Sequence, residues 1–230
     1  MSLPKLSLKP ASARQRERLE HWLVAWEIDR DLRLPAQVSP GTGVQDLPVS
    51  PISAEPPPEP GQVRLFSPEV EAANDRLLYV AVLAMGANTG LLVAPYSRFS
   101  EPCVPGELLT GRDTASLKVV CLWNAINVPA AVLARSWVVD ALSENELEAA
   151  IAVRRHLVSE DVLPSELAER VGPPLWHPAD PRRQYLDEER RTMESLLGGS
   201  GGVVEYPTLT PARPIAADPH DPYGSAPLPE

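Results

Sequence analysis

Gly61-Gln-Val-Arg-Leu-Phe66, Arg76-Leu-Leu-Tyr-Val-Ala-Val-Leu-Ala84, Gly90-Leu-Leu-Val-Ala-Pro-Tyr-Ser-Arg-Phe99 and Lys118-Val-Val-Cys-Leu-Trp-Asn124 succeed one another in the middle of the chain. Each run is short, rich in β-branched and apolar residues, and set off by turn residues, which reads as a strand. Ala87-Asn-Thr-Gly90 supplies residues suited to positive φ, so it joins strands at 77–85 and 90–95 as an antiparallel pair. Gly106-Glu-Leu-Leu-Thr-Gly111 reads as a further short strand, and Ala131-Val-Leu-Ala-Arg-Ser-Trp-Val-Val139 as a mixture of helical turn and strand. Ser143-Glu-Asn-Glu146 is a capping box opening a helix over 143–158, with Leu147, Ala150, Ile151 and Val158 on its apolar stripe. Strands in a row followed by one helix point to a small β-barrel or curled sheet, not a βαβ enzyme.

Outward from this unit, the texture changes. Only Pro68, Pro95, Pro102, Pro105 and Pro129 of the 27 prolines fall within 61–158. The chain therefore divides into an amphipathic helix at 1–34, a Pro-rich linker at 35–60, the central unit at 61–158, a helical extension at 159–197 and a disordered acidic Pro/Gly-rich tail at 198–230. Leu19, Trp22, Leu23 and Trp26 share one face of the first helix, Ser12 caps it and Pro35 ends it. A single helix of that length is marginal in water, so its indole face packs on the central unit or on a partner. In the extension, 164–172 reads as a short helix stopped by Gly172-Pro-Pro174, and Asp180-Pro-Arg182 caps another.

Net charge is -10, concentrated beyond residue 158, where 13 acidic residues face 6 basic ones. That sign argues against nonspecific DNA binding, which draws its affinity from phosphate neutralisation. Cys103 and Cys121 have no CxxC spacing and no signal-type segment precedes them, so a reduced, cytoplasmic protein with no membrane span is expected. His21, His156, His177 and His220 lack ligand spacing, so no metal and no cofactor are assigned.

The order of motifs resembles the MazF/PemK-like toxins, ribonucleases of toxin–antitoxin systems. The matching pieces are Gly61-Gln-Val63 for the first strand, Arg76 ahead of Tyr79-Val-Ala-Val82, Ala94-Pro-Tyr-Ser97 closing the third strand, and Leu142-Ser-Glu-Asn-Glu-Leu147 opening the helix. The resemblance covers less than half of the chain. It implies an α+β, mainly β fold: a small SH3-like antiparallel β-barrel with a C-terminal helix, here with flanking helices and disordered Pro-rich segments. It also implies a metal-independent endoribonuclease acting on single-stranded RNA, a homodimer, and an antitoxin-like partner. Carried over, Arg76 stabilises charge on the phosphorane and Ser97 positions the phosphate or moves a proton, while Tyr96, Arg98 and Phe99 contact RNA, the aromatic rings by stacking.

Departures from the pattern keep a second reading open. Leu77 stands where the family usually has proline, and Glu69, Glu71 and Asp75 load the preceding loop with charge that repels phosphate. The alternative is a non-catalytic interaction module that kept the barrel and lost the chemistry. In that reading Arg76 is a solvated residue before a strand, Ser97 a turn residue bonding its own backbone, Arg98 a surface partner of Glu101, and Trp123 and Trp137 core aromatics.

Overall fold

A computed structural model describes residues 12–33, 56–66, 78–86, 90–159, 161–175 and 180–196. In chain order the elements are α1 (Ala13–Arg33), β1 (Gln62–Phe66), β2 (Tyr79–Met85), β3 (Gly90–Pro95), β4 (Glu107–Leu109), β5 (Val119–Cys121), β6 (Ile126–Pro129), α2 (Ala130–Leu133), β7 (Ser136–Ala141), α3 (Glu144–Ser159), α4 (Ser165–Ala168) and α5 (Arg182–Leu196). Arg76, the acidic loop before it, the turn at 87–89, the linker at 35–55 and the tail at 198–230 lie outside the described residues.

Five strands form one antiparallel sheet in the order β6-β3-β2-β1-β7, and β4 pairs with β5 in a separate ribbon. β2 is central and apolar on both sides because the sheet is covered on both sides. Val80 and Val82 face one buried cluster with Phe66, Val93, Ile126 and Val128, closed over by Leu133 of α2 and Met193 of α5. Ala81 and Leu83 face the other, with Val63, Ala94 and Tyr96, against Ala149, Ala150 and Val153 of α3. The connection 130–135 carries the chain from one edge strand, β6, to the other, β7, although no pairing between those edges exists among the described residues. The expected barrel is thus, in the described residues, a two-faced antiparallel sheet whose edges are not hydrogen-bonded to each other.

The helix starts follow their caps. Ser143 Oγ accepts from the Glu146 N–H at 3.3 Å and Glu146 Oε2 accepts from the Ser143 N–H at 2.8 Å, the reciprocal pair that the Ser-x-x-Glu spacing predicts. At α1, Ser12 Oγ accepts from Gln15 N at 3.2 Å while Gln15 Oε1 accepts from Ser12 N at 3.1 Å. At α5, Asp180 Oδ1 accepts from Arg182 N at 3.0 Å.

One strand is shorter than its composition predicts. The apolar run 117–123 is extended only over Val119–Cys121, and Leu122–Asn124 turns into a 3-10 segment. There the N–H groups of Leu122 and Trp123 both donate to the Gly106 carbonyl, at 2.7 and 3.3 Å, where the chain turns out of the ribbon and delivers Trp123 to a third apolar cluster. The mixed stretch 131–139 resolves into α2 and β7.

Gly172 sits where a Cβ would meet the Val104 backbone N and O at 2.4 Å. Gly172→Ala therefore forces the extension away from the 103–104 loop and should lower the unfolding free energy by about 1–3 kcal/mol, read from denaturant midpoints. A second test concerns Arg112, which clamps β7 and α3 by bonding Asp140, the Ala141 carbonyl at 2.6 Å and Glu146 at 3.0 and 3.2 Å. Burial pushes the Glu146 carboxyl up, but the bonds from Arg112 and Ser143 outweigh it and hold it below its ordinary value. A lowered folded value stabilises above the unfolded one, near 4.3. Glu146→Gln should thus cost less than about 1 kcal/mol at neutral pH. The difference from wild type should close as pH falls through the carboxylate range, measured by thermal unfolding across pH.

Candidate functional site

The residues expected to carry chemistry follow β3, where the chain crosses from β2 to β5. Tyr96 donates its N–H to the Tyr79 carbonyl at 2.9 Å, and Ser97 donates its own to the Val119 carbonyl at 2.8 Å. This places Tyr96 beneath α3 and Ser97 to Phe99 beneath α1 and α5 rather than on an open face.

Ser97 is 2% exposed. Its hydroxyl lies 3.0 Å from the Tyr185 hydroxyl and accepts from the Phe99 N–H at 3.1 Å. The second bond is the local turn contact expected of Ser after Pro95. The Tyr185 hydroxyl donates to Glu107 Oε1 at 2.5 Å, and the Cys121 thiol lies 3.6 Å from the same oxygen. Glu107 Oε2 accepts from the N–H groups of Cys103 at 2.6 Å and Val104 at 3.2 Å. A fully buried carboxylate is costly unless such donors surround it.

Burial sets the protonation of this cluster. It raises the Glu107 carboxyl above its ordinary value, with the bonds from Tyr185, Cys103 and Val104 opposing. It raises the Cys103 thiol and the Tyr185 phenol well above theirs, and carboxylate charge nearby adds to both shifts. With the Cys103 thiol and the Tyr185 phenol held protonated at neutral pH, the chain Ser97–Tyr185–Glu107 is a set of fixed donors and acceptors that fastens α5 to β4.

Tyr96 is 2% exposed and belongs to the cluster under α3; Phe99 is 7% exposed and packs with Trp22, Trp26 and Tyr185. Neither ring offers a face to a base, because each has already spent it on protein. Arg98 does not pair with Glu101. Its guanidinium bonds Glu189 and Glu188 at 3.1 Å each, lies 3.4 Å from Asp29, and stacks over Trp26 at 5.1 Å and Phe99 at 4.9 Å. Glu101 instead meets Arg18 of α1 at 3.4 Å. Three carboxylates and three rings, Tyr185 being the third, occupy the cation that RNA was expected to meet. Arg76 lies outside the described residues.

The indole face of α1 supplies the cover. Trp22 and Trp26 stack with centroids 5.5 Å apart, and both meet Phe99 and Tyr185 edge-on at 5.4–6.0 Å. Such pairs each contribute roughly 0.5–1.5 kcal/mol beyond their buried area. The helix is further held by Gln15 donating to the Ala168 and Val171 carbonyls and Arg18 to the Glu169 carbonyl. On α5, Arg182 is buried and donates to the carbonyls of Cys103, Pro173 and Pro174 at 2.6–3.1 Å while paired with Asp180. Trp123 is core, as expected; Trp137, expected in the core as well, is instead exposed at 36% on β7, an edge strand of the sheet.

Sequence reasoning passed over Glu107 and Tyr185, which organise the cluster. Their one signal was a carboxylate inside an apolar strand, Gly106-Glu-Leu-Leu109, and a tyrosine on the period of a charged helix. Among the described residues no group of three or more His, Cys, Asp or Glu side chains is arranged to hold a metal, and no helix is long and apolar enough to cross a membrane. No protein-family model matches the chain, and no curated protein and no solved structure is significantly similar to it.

Tyr185→Phe removes the donor to Glu107 and a partner of Ser97 while keeping the ring. It should lower stability by about 1–3 kcal/mol, the range for orphaning a buried polar group, as measured by chemical denaturation.

Proposed function

We propose that this chain is a non-catalytic interaction module built on a MazF/PemK-like, SH3-like barrel. The strand order, with the last strand of the sheet beside the first and a short connection carrying the chain between the two edges, supports the barrel reading. The observation that carries the functional reading is the burial of Ser97 against Tyr185 and Phe99. A hydroxyl that positions a scissile phosphate must reach it, and this one is bonded within the protein beneath two helices. The carboxylates of Asp29, Glu188 and Glu189 around Arg98 support the same conclusion, since they repel the phosphate that Arg98 would have to attract.

The register of β2 with β3 favours a second reading, a metal-independent endoribonuclease using Arg76 and Ser97. That register sets Tyr79 beside Tyr96, so Leu78, two positions after Arg76 in the sequence, and Ser97 flank the same end of the β2–β3 pair. The homodimer and the antitoxin-like partner implied by the family resemblance go with this reading, in a cytoplasmic setting.

Incubating the full chain with a long unstructured RNA in chelator separates the two. The module reading expects no cleavage above background from wild type, Arg76→Ala or Ser97→Ala. Cleavage by wild type that both variants lose would establish the ribonuclease.

A further inference from the structure

Residues 34–55 link α1 covalently to the rest of the described fold, and outside the helix itself its side chains meet residues at position 98 and beyond, among them Arg98, Phe99, Glu101, Glu169 and Tyr185. The contacts are those of a ligand in a groove. Along the helix, Arg18, Trp22, Trp26 and Asp29 stand at i, i+4, i+8 and i+11 and so share one face. Each meets a built counterpart. Arg18 finds Glu101 and the Glu169 carbonyl; the two indoles enter a wall made by Phe99 and Tyr185; Asp29 finds Arg98. Opposite charges lie at the two ends, with an aromatic slot between them.

We propose that this groove is a helix-recognition site and that α1 is its resident ligand, occupying the place of an amphipathic helix from another protein that presents the same four anchors: a cation, two aromatic rings one turn apart, and a carboxylate. The inference deepens the module reading by naming what the module binds, and it rests on that reading. The groove selects by charge at both ends and by ring shape in the middle, so an aliphatic helix or one with the charges reversed is rejected.

The 22 residues of 34–55 bound how α1 competes. Fully extended they reach no more than about 75 Å, which keeps α1 at an effective concentration of order millimolar beside the groove. A helix arriving in trans with equal contacts therefore meets a groove already filled. It gains access when its own contacts exceed those of α1 or when the tether is cut. On leaving, α1 exposes two indoles to water, which favours its return and makes the exchange reversible.

The test uses a fluorescently labelled synthetic peptide of residues 12–33 as the probe and anisotropy as the readout. The proteins are full-length wild type, full-length Trp22→Ala/Trp26→Ala, and a full-length chain with a protease site inserted between Pro40 and Gly41. The inference expects the peptide to bind the double variant at least ten-fold more tightly than wild type. It expects the site-bearing chain to take up peptide after cleavage and not before. A peptide carrying Trp26→Ala or Asp29→Arg should bind at least ten-fold more weakly. The cut chain keeps every groove residue and every α1 residue, so its failure to take up peptide overturns the proposal even where the double variant is poorly folded. Equal binding to wild type and double variant also overturns it. A wild-type chain that sediments as a dimer at ~10 μM and becomes a monomer when both tryptophans are removed would assign the groove to a second copy instead, against the partner proposed. No peptide uptake together with no RNA cleavage removes this inference and leaves the module reading standing; RNA cleavage by wild type removes the module reading itself.

Discussion

The bond from the Tyr185 hydroxyl to the Glu107 carboxylate, 2.5 Å long and sealed from water, determines how the helices sit on the sheet. A carboxylate placed at the start of β4 and buried completely would cost several kcal/mol unless donors surround it. The donors come from the 103–104 turn, from Cys121 on β5 and from α5, so satisfying one side chain brings three separated segments together. Once Tyr185 is drawn in, its ring becomes a wall of the slot that Trp22 and Trp26 fill. The position of α1 is thus a consequence of a polar contact that α1 does not touch.

The same bond explains why the candidate chemistry is closed. Ser97 is held by Tyr185, and Arg98 is held by the acidic residues that follow Tyr185 on α5. A serine and an arginine at the end of β3 are a plausible phosphate site on a bare sheet. With α5 in place they become its anchorage. A chain that must bury Glu107 cannot leave those two side chains open, because one helix carries the partners for all three. That linkage also shapes the aromatic slot between α5 and the 98–101 loop, which Trp22 and Trp26 of α1 fill.

Much of the sheet was legible. The apolar run around Val80 and Val82 predicts a buried strand, and both of its faces are covered. The Ser-x-x-Glu spacing before α3 and the Asp-Pro before α5 predict their starts, since caps are local hydrogen bonds between residues a few positions apart. The site was not legible in the same way. Tyr96 and Phe99 look like aromatic side chains on a strand end, and nothing near them in sequence tells that α3 covers one while α1 and α5 cover the other. Arg98 has an acidic neighbour at Glu101, yet it turns to Asp29, Glu188 and Glu189, which lie about 70 and 90 residues away in the chain. The shortening of β5 was hidden for the same reason: the chain turns where Leu122 and Trp123 share the Gly106 carbonyl, across the ribbon.

What the amino-acid order determined by itself was everything that depends on short range: the periods of two and of 3.6, the caps, the indole stripe of α1, and the division into an apolar middle with proline-rich flanks. What only the tertiary structure decided was which polar groups are buried together and therefore which are free to act. Burial is a property of the whole packing, and Ser97, Glu107 and the distant Tyr185 acquire their roles only when the removal of water leaves them to satisfy their hydrogen bonds within the protein.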